Sequence, residues 1–320
     1  MANAFLWRIT ACIQKYRSGL LAASCAGLFG ANISYHVFPK ETFQTVYQSW
    51  SKSEPAELSR KLHDVFQEVL KDTGVKSAEK YTAFAAFGFH PVSAGMPWLP
   101  SGSLVGIPAN FSNQGDDGEG IVNRTVMLNG KVVDWDSKDG AALRDALSLS
   151  EEAKKFALAR EIVYAKDHSP LIHATVAPFC LFGTCLSGVA IKQLLGLYSG
   201  PLLLRGFFNL AGMTVGLVGY FFTYDAINQW LDYKSDKTAA TISKDYAEGG
   251  VEFYNKMLAR NRTLRHLMGK QGEEMYAASG NLFPRYWFRL KHAPYTSRRD
   301  LIVNIVKANE AHGCTSSSAL

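Results

Sequence analysis

Two uncharged apolar stretches, SPLIHATVAPFCLFGTCLSGVAI at 169–191 and GFFNLAGMTVGLVGYFFTY at 206–224, decide the fold predicted for this chain. As α-helices they reach about 34 Å and about 28 Å, against a bilayer hydrocarbon core about 30 Å thick. A charge at the bilayer centre costs about 2.5–3.5 kcal/mol, so the absence of Lys, Arg, Asp and Glu favours membrane spans over two buried helices of a soluble core. The short connection contains Gly196, Gly200 and Pro201, which predicts a transmembrane helical hairpin.

Whole-chain averages conceal this hairpin. Apolar residues make up 47% of the 320 residues, charged residues 19%, and the mean hydropathy is −0.06. Such values exclude intrinsic disorder, collagen and a densely polytopic transporter. The net charge of +6 is too small for its length to indicate a protein that binds nucleic acid. The polar remainder outside the hairpin is therefore expected to carry the function.

A third uncharged stretch, residues 18–39, follows a basic start. Arg8, Lys15 and Arg17 precede it, and the first acidic residue of the chain is Glu41. This pattern is typical of a mitochondrial targeting segment or of a membrane anchor with its start on the cytosolic side, and the absence of a small-x-small cleavage site disfavours a secretory signal. We interpret 1–40 as a basic segment with a candidate additional span, which is either retained or cleaved.

The basic residues beside the hairpin predict its orientation. Seven lie outside the two stretches and only two lie in the connection: Lys154, Lys155, Arg160, Lys166, Lys234, Lys237 and Lys244, against Lys192 and Arg205. Positively charged flanks stay on the inner side of a membrane. Both large flanks are therefore predicted to lie inside, which in a mitochondrion is the matrix.

The five cysteines indicate neither a disulfide framework nor a zinc ribbon. Their number is odd and no CxxC pair occurs. Cys180 and Cys185 lie within the first span and remain only a weak redox candidate.

The polar parts show helix and strand signals on both sides of the hairpin. An amphipathic helix is predicted over Glu57–Asp72, and strands over Leu104–Ile107 and Thr125–Trp135, the second with an Asn-Gly turn at 129–130. Ser150 caps a helix that continues to about Lys166, and apolar residues at three- and four-residue spacing predict a further helix over 247–258. The acidic loop 112–120 does not match an EF-hand and is interpreted as solvated.

These signals predict a mostly helical α+β membrane protein: a transmembrane hairpin plus a matrix domain with a small β-sheet. Its parts are the N-terminal segment 1–40, a soluble α+β part 41–168, the hairpin 169–224, and a helical part 225–320 that packs with 41–168. The matrix domain is therefore discontinuous in the sequence.

The order of elements also resembles membrane zinc metallopeptidases that carry HExxH on the helix before their spans. Arg160-Glu161-Ile162-Val163-Tyr164 stands where that motif would be, so a guanidinium and a phenol replace both histidine ligands. Glu248 or Glu252 stands where the third ligand would be, and His292-Ala-Pro-Tyr-Thr-Ser-Arg298 resembles the His-Pro-Pro-x-x-x-Arg tail of that family. We interpret the chain as a peptidase-like scaffold that has lost its activity and has no catalytic, metal or cofactor residues. The alternative is a membrane metallopeptidase-like enzyme with an unorthodox site around Glu161 and Glu248 or Glu252.

Small residues four apart supply faces on which helices approach closely in lipid. They form three pairs, Gly212-x-x-x-Gly216, Gly183-x-x-x-Ser187 and Ala26-x-x-x-Gly30. Each pair either docks another membrane hairpin or packs the chain's own spans together. A basic and aromatic stretch at 285–299 favours lipid headgroups or packing onto the soluble domain over base stacking, so no nucleic-acid partner is expected.

Long irregular strings over nearly the whole chain resemble the transmembrane protein 177 family. They are RSGLLAASCAGLFG at 17–30, ISYH at 33–36, PVSAG at 91–95, VGIPA at 105–109, KFALARE at 155–161, GGVEFY at 249–254 and SGN at 279–281, with His292, PYT at 294–296 and RRD at 298–300.

This resemblance implies a multi-pass protein of the mitochondrial inner membrane that acts early in cytochrome c oxidase assembly. The implied partners are the bilayer, newly made subunit II and the dedicated chaperone of that subunit, cytochrome c oxidase assembly factor twenty, with copper-delivery factors of the same complex as further candidates. No active-site residues come with the family, so the expected role is non-catalytic stabilisation of subunit II and its chaperone.

Overall fold

A computed structural model describes residues 2–51, 53–112, 127–128 and 130–317. The chain divides into two units, each built from two separate segments. Met1–Ser34 and Leu171–Ile227 form one, named here the helical unit, and Tyr35–Pro170 and Asn228–Leu320 form the other, named the α+β unit.

The described residues form ten α-helices and seven short strands. The helices are α1 (Ala2–Val37), α2 (Thr45–Tyr47), α3 (Arg60–Asp72), α4 (Lys138–Leu147), α5 (Glu151–Lys166), α6 (Ser169–Leu194), α7 (Leu202–Ala240), α8 (Lys244–Leu267), α9 (Lys270–Met275) and α10 (Tyr295–Ser317). The strands are β1 (Trp50–Ser51), β2 (Glu54–Pro55), β3 (Tyr81–Ala86), β4 (Val92–Gly95), β5 (Ser103–Pro108), β6 (Met127–Leu128) and β7 (Lys131–Val132).

Within the described part of the chain, three helices are long and apolar enough to cross a membrane: Lys15–Val37, Ser169–Leu194 and Leu203–Ala240. Many of their large apolar side chains are exposed, including Phe179 and Phe207, as expected of surfaces that contact lipid. The two predicted spans lie within α6 and α7, and the uncharged stretch 18–39 supplies most of the third candidate. The predicted class, a mostly helical α+β membrane protein, is confirmed.

The α+β unit contains a three-stranded sheet in the order β3-β5-β4. The central strand β5 is buried along its whole length; it pairs parallel with β3, where Ala83 faces Val105, and antiparallel with β4, where Ser93 faces Val105. β5 contains the strand predicted at Leu104–Ile107. In the predicted hairpin, β6 pairs antiparallel with β7, whereas Asn129 and most of the loop 112–120 lie outside the described residues.

Serine side chains begin four helices of this unit. The hydroxyl oxygens of Ser59, Ser137, Ser150 and Ser243 each accept a hydrogen bond from the main-chain N–H three residues later, satisfying a donor that the helix itself leaves free. The Ser150 cap was predicted. The Ser59 cap explains why α3 begins at Arg60 and not at Glu57, where the amphipathic pattern starts.

The core of the α+β unit forms where α5 packs against α8 and α3. Its largest fully buried side chains include Phe66, Phe156, Ile162 and Tyr254. Gly249 permits the close approach of α8, because a Cβ there would collide with the main chain of Glu152. The helix α10 follows the last loop and buries Ile302 in the same core.

We expect Gly249→Ala to destabilise the α+β unit by about 1–3 kcal/mol, because the added methyl group must push two helices apart. The midpoint of thermal unfolding of the purified protein in detergent should fall by about 2–12 °C. Asn255→Ala, an exposed position of the same helix, is the control and should leave the midpoint unchanged or slightly raised. Equal midpoints for both variants would contradict the packing argument.

Candidate functional site

A buried ionic cluster joins four helices of the α+β unit. Arg298 of α10 donates to both carboxylate oxygens of Asp236 of α7, with nitrogen–oxygen distances of 2.6 Å and 2.8 Å. Only 3% of Arg298 and 0% of Asp236 is exposed. Tyr254 of α8 donates its hydroxyl to Asp236 at 2.8 Å, and its ring lies 5.0 Å from the guanidinium carbon of Arg298, within the range of a cation–π contact.

Arg160 of α5 is the second cation of the cluster. Its guanidinium nitrogens lie 2.9 Å from a carboxylate oxygen of Glu161, 3.2 Å from Asp232 and 3.1 Å from Asp236. The last contact, from Nε, is an ion pair without the angle of a hydrogen bond. One guanidinium therefore contacts three carboxylates.

Glu161 and Asp232 have further partners at the edges of the cluster. Ser93 of β4 donates to Glu161 at 2.7 Å, and desolvation by burial raises the pKa of Glu161 although Arg160 opposes the shift. His292 places Nδ1 3.1 Å from Asp232, which also accepts from the main-chain N–H of Ala293. The segment before α10 is thereby fixed to α7.

The positions that resemble a metallopeptidase motif are not gathered into a metal site. Glu252 accepts a hydrogen bond from the main-chain N–H of Ser150. Ser150 lies eleven residues before Glu161, which corresponds to about 16 Å along a helix. Glu248 pairs with Lys244 on the surface of α8, and Tyr164 is half-buried on α5. Among the residues that the structure describes, no group of three or more His, Cys, Asp or Glu is placed to hold a metal ion.

A cavity of about 410 Å³ opens beside the cluster. Arg160 and Arg298 form part of its wall, and the chain from Leu282 to Tyr295 supplies most of the rest, including Arg285, Arg289 and Lys291. None of the described residues that line it is acidic. His90 also faces it; desolvation of the ring and the charges of Arg260 and Arg160 lower the pKa of His90 to about 4, so this imidazole is neutral at pH 7.

In the helical unit, the small-residue positions differ in what they contact. A Cβ on Gly216 would collide with the Thr184 side chain, so this glycine packs α7 onto α6. By contrast, no heavy atom lies within 4 Å of a Cβ built on Gly183, Gly212 or Gly30. Ser187 and Ala26 are exposed. Of the four glycines in the three pairs, Gly216 alone has a heavy atom of another described helix within 4 Å of its Cβ position.

The faces of α6 show which side of this helix stays open. The Cys25 thiol of α1 lies 3.6 Å from the Pro178 carbonyl oxygen, and Thr184 faces α7. At about 100° per residue, Gly183 lies about 140° from Pro178 and about 100° from Thr184 around α6. Its face is thus directed away from both neighbouring contacts.

Sequence reasoning missed Asp232 and Asp236. They are four residues apart, so they lie on one face of α7, and they follow an uncharged stretch in the same helix. Acidic residues with this spacing are the signal that could have indicated a buried cationic partner. Arg298 is predicted as part of the basic and aromatic stretch and of two family resemblances, but not as the partner of a buried carboxylate.

The fold and the site together define the class of protein: an α+β membrane protein whose described part contains a buried cluster of ion pairs and no group of residues placed to hold a metal ion. The family model of transmembrane protein 177 matches residues 121–285. The chain is 60% identical to transmembrane protein 177 of Xenopus laevis over 304 residues, covering 95% of this chain and 98% of the relative. It is 48% identical to the Homo sapiens protein of that name over 302 residues, covering 94% and 96%. The chain belongs to the transmembrane protein 177 family. No solved structure matches it significantly.

Removing one partner of the buried pair is expected to be costly. Arg298→Ala leaves Asp236 buried beside fewer cations, which destabilises by about 3–5 kcal/mol and lowers the thermal midpoint by about 6–20 °C. The adjacent Arg299→Ala is the matched control, because Arg299 pairs with the exposed Asp300 and such pairs contribute about 0–1 kcal/mol. A midpoint for Arg298→Ala within 2 °C of that of the control would overturn this role, because the difference in stability would then be below about 1 kcal/mol.

Proposed function

We propose that this chain is a non-catalytic factor of the mitochondrial inner membrane that stabilises newly made cytochrome c oxidase subunit II and its dedicated assembly chaperone. Membership of the transmembrane protein 177 family supports the proposal through the role that the sequence resemblance implies. The client is itself expected to be a membrane hairpin, so the recognition surface should lie on the spans.

The observation that carries the proposal is that two glycines of the hairpin are open, one in each predicted span. Gly183 and Gly212 have no heavy atom within 4 Å of where a side chain would begin, although glycine weakens a helix when nothing requires it. In lipid, helices associate through close approach at such residues. An unoccupied glycine face in a predicted span is therefore suited to a partner helix.

The arrangement around Glu161 supports a non-catalytic role. A general base that activates water needs access to water and to a substrate atom. The carboxylate of Glu161 is instead buried and held by Ser93 and Arg160. The same contacts explain its presence by packing and charge alone.

Deleting the gene should lower the steady-state amount of the subunit II chaperone, measured by immunoblotting of isolated mitochondria. Re-expressed wild-type protein should restore it, whereas Gly183→Leu combined with Gly212→Leu should not, because two leucines block close approach of a partner helix. Gly183→Ala with Gly212→Ala keeps both positions small and should restore it.

Folding and client binding are separated by a further variant. Gly216→Leu should lower the amount of this protein itself, because Thr184 already occupies that space, whereas the double leucine variant should accumulate normally. Unchanged chaperone levels in the deletion strain would refute the assembly role.

The proposed orientation places both large flanks in the matrix. When only the outer membrane of mitochondria is opened, added protease should leave a C-terminal epitope tag intact, and it should digest the tag once the inner membrane is dissolved. Loss of the tag before the inner membrane is dissolved would show that the charge asymmetry beside the hairpin does not govern this chain.

A further inference from the structure

We propose that the cavity in the α+β unit binds the phosphate headgroup of an anionic phospholipid, and that residues 282–291, named here the aromatic–basic segment, insert side chains at the headgroup boundary. The proposal goes beyond the assembly role and does not depend on it. It rests on the charge of the cavity wall, on the exposed apolar side chains beside it, and on the way the segment is held.

The charged side chains among the described residues that line the cavity are all cationic. Arg285, Arg289 and Lys291 line it together with Arg160 and Arg298, and none of its described lining residues is acidic. Asp232 and Asp236 pair with the two inner arginines, and Arg285 and Lys291 add further positive charge to the wall. In the sequence, no Asp or Glu occurs between Glu274 and Asp300. Guanidinium and ammonium groups around a space of about 410 Å³ are suited to a phosphate.

The same segment exposes large apolar side chains to solvent. They are Leu282, Phe283, Tyr286, Trp287, Phe288 and Leu290, and 92% of Trp287 is exposed. A contiguous apolar patch of this kind marks an interaction surface. Tryptophan, tyrosine and basic residues together are enriched where membrane meets water, because their apolar parts enter the acyl boundary while their polar ends stay with headgroups.

Main-chain contacts hold the segment in place. Phe283 donates its main-chain N–H to Met275 at 2.9 Å, and that of Arg289 reaches the Tyr286 carbonyl at 2.9 Å. The Gln229 amide donates to the Leu290 carbonyl, and Gln229 follows the end of the second predicted span by five residues in the sequence. The aromatic–basic segment is therefore a structured loop, so its main chain needs little further ordering when a ligand binds.

A lipid is favoured over an acidic peptide because a chain with candidate membrane spans is surrounded by phospholipids. A protein with three candidate spans is tethered to a bilayer, so headgroups reach its polar parts at a high effective concentration. An acidic peptide would match the charges of the cavity but would leave Trp287 and its apolar neighbours without a stated partner. An anionic phospholipid matches both.

The test uses the full-length protein in neutral detergent, with dioleoyl phosphatidylglycerol and dioleoyl phosphatidylcholine as probes and retention measured by native mass spectrometry. Wild type should retain phosphatidylglycerol in preference to phosphatidylcholine. Arg285→Gln, Arg289→Gln and Lys291→Gln combined should lower the apparent affinity about 100-fold, the effect expected from three basic residues at a membrane surface. The control combines Lys71→Gln, Lys76→Gln and Lys80→Gln, three exposed lysines of the same unit, and should bind as wild type does.

Two further measurements complete the test. Arg285→Lys with Arg289→Lys keeps the charge and should keep binding, which separates charge from folding. Brominated phosphatidylglycerol should quench the fluorescence of wild type more than that of Trp287→Phe. Equal retention of both lipids, equal losses in the two glutamine variants, or equal affinity for free glycerol phosphate would overturn the proposal. Unaltered lipid binding with loss of a co-purifying acidic protein would also overturn it, because the surface would then bind protein.

Discussion

The ion pair between Asp236 and Arg298 is the interaction on which the α+β unit depends. It is almost completely buried, and its two partners come from α7 and α10, 62 residues apart in the sequence. Tyr254 of α8 and Arg160 of α5 reach the same carboxylate. Because a buried charge without a partner is far more costly than a paired one, packing arrangements of the four helices that separate these groups are disfavoured.

The parts of the fold that could be predicted are those with a local cause. A charge-free run predicts a span because lipid excludes charge, and Ser150 predicts a helix start because its hydroxyl satisfies a free N–H. The parallel pairing of β3 with β5 and the ionic cluster have no local cause. Asp232 and Asp236 look like solvated charges of an exposed helix until Arg160 and Arg298, which are distant in sequence, are placed beside them.

The small-residue pairs illustrate the same limit within the spans. The spacing of glycines four apart indicates that a face can be approached closely, but not by which helix. Contacts with Thr184 assign Gly216 to the chain's own hairpin, whereas Gly183 and Gly212 remain open. Two residues of one motif, Gly212 and Gly216, therefore serve different purposes, and the pattern alone could not separate them.

The guanidinium of Arg160 explains why the metallopeptidase-like order of elements does not imply a metal. A divalent ion would be attracted to Glu161, Asp232 and Asp236, but these carboxylates already surround a cation that is fixed covalently to α5 and always protonated. Arg160 supplies the positive charge, but it has no ligand position that a water could occupy. Zinc generates a nucleophile by lowering the pKa of a bound water, and Arg160 does not do this. A cluster of this kind can hold helices together. The adjacent cavity, whose described lining contains no acidic residue, can then meet an anion from outside the chain.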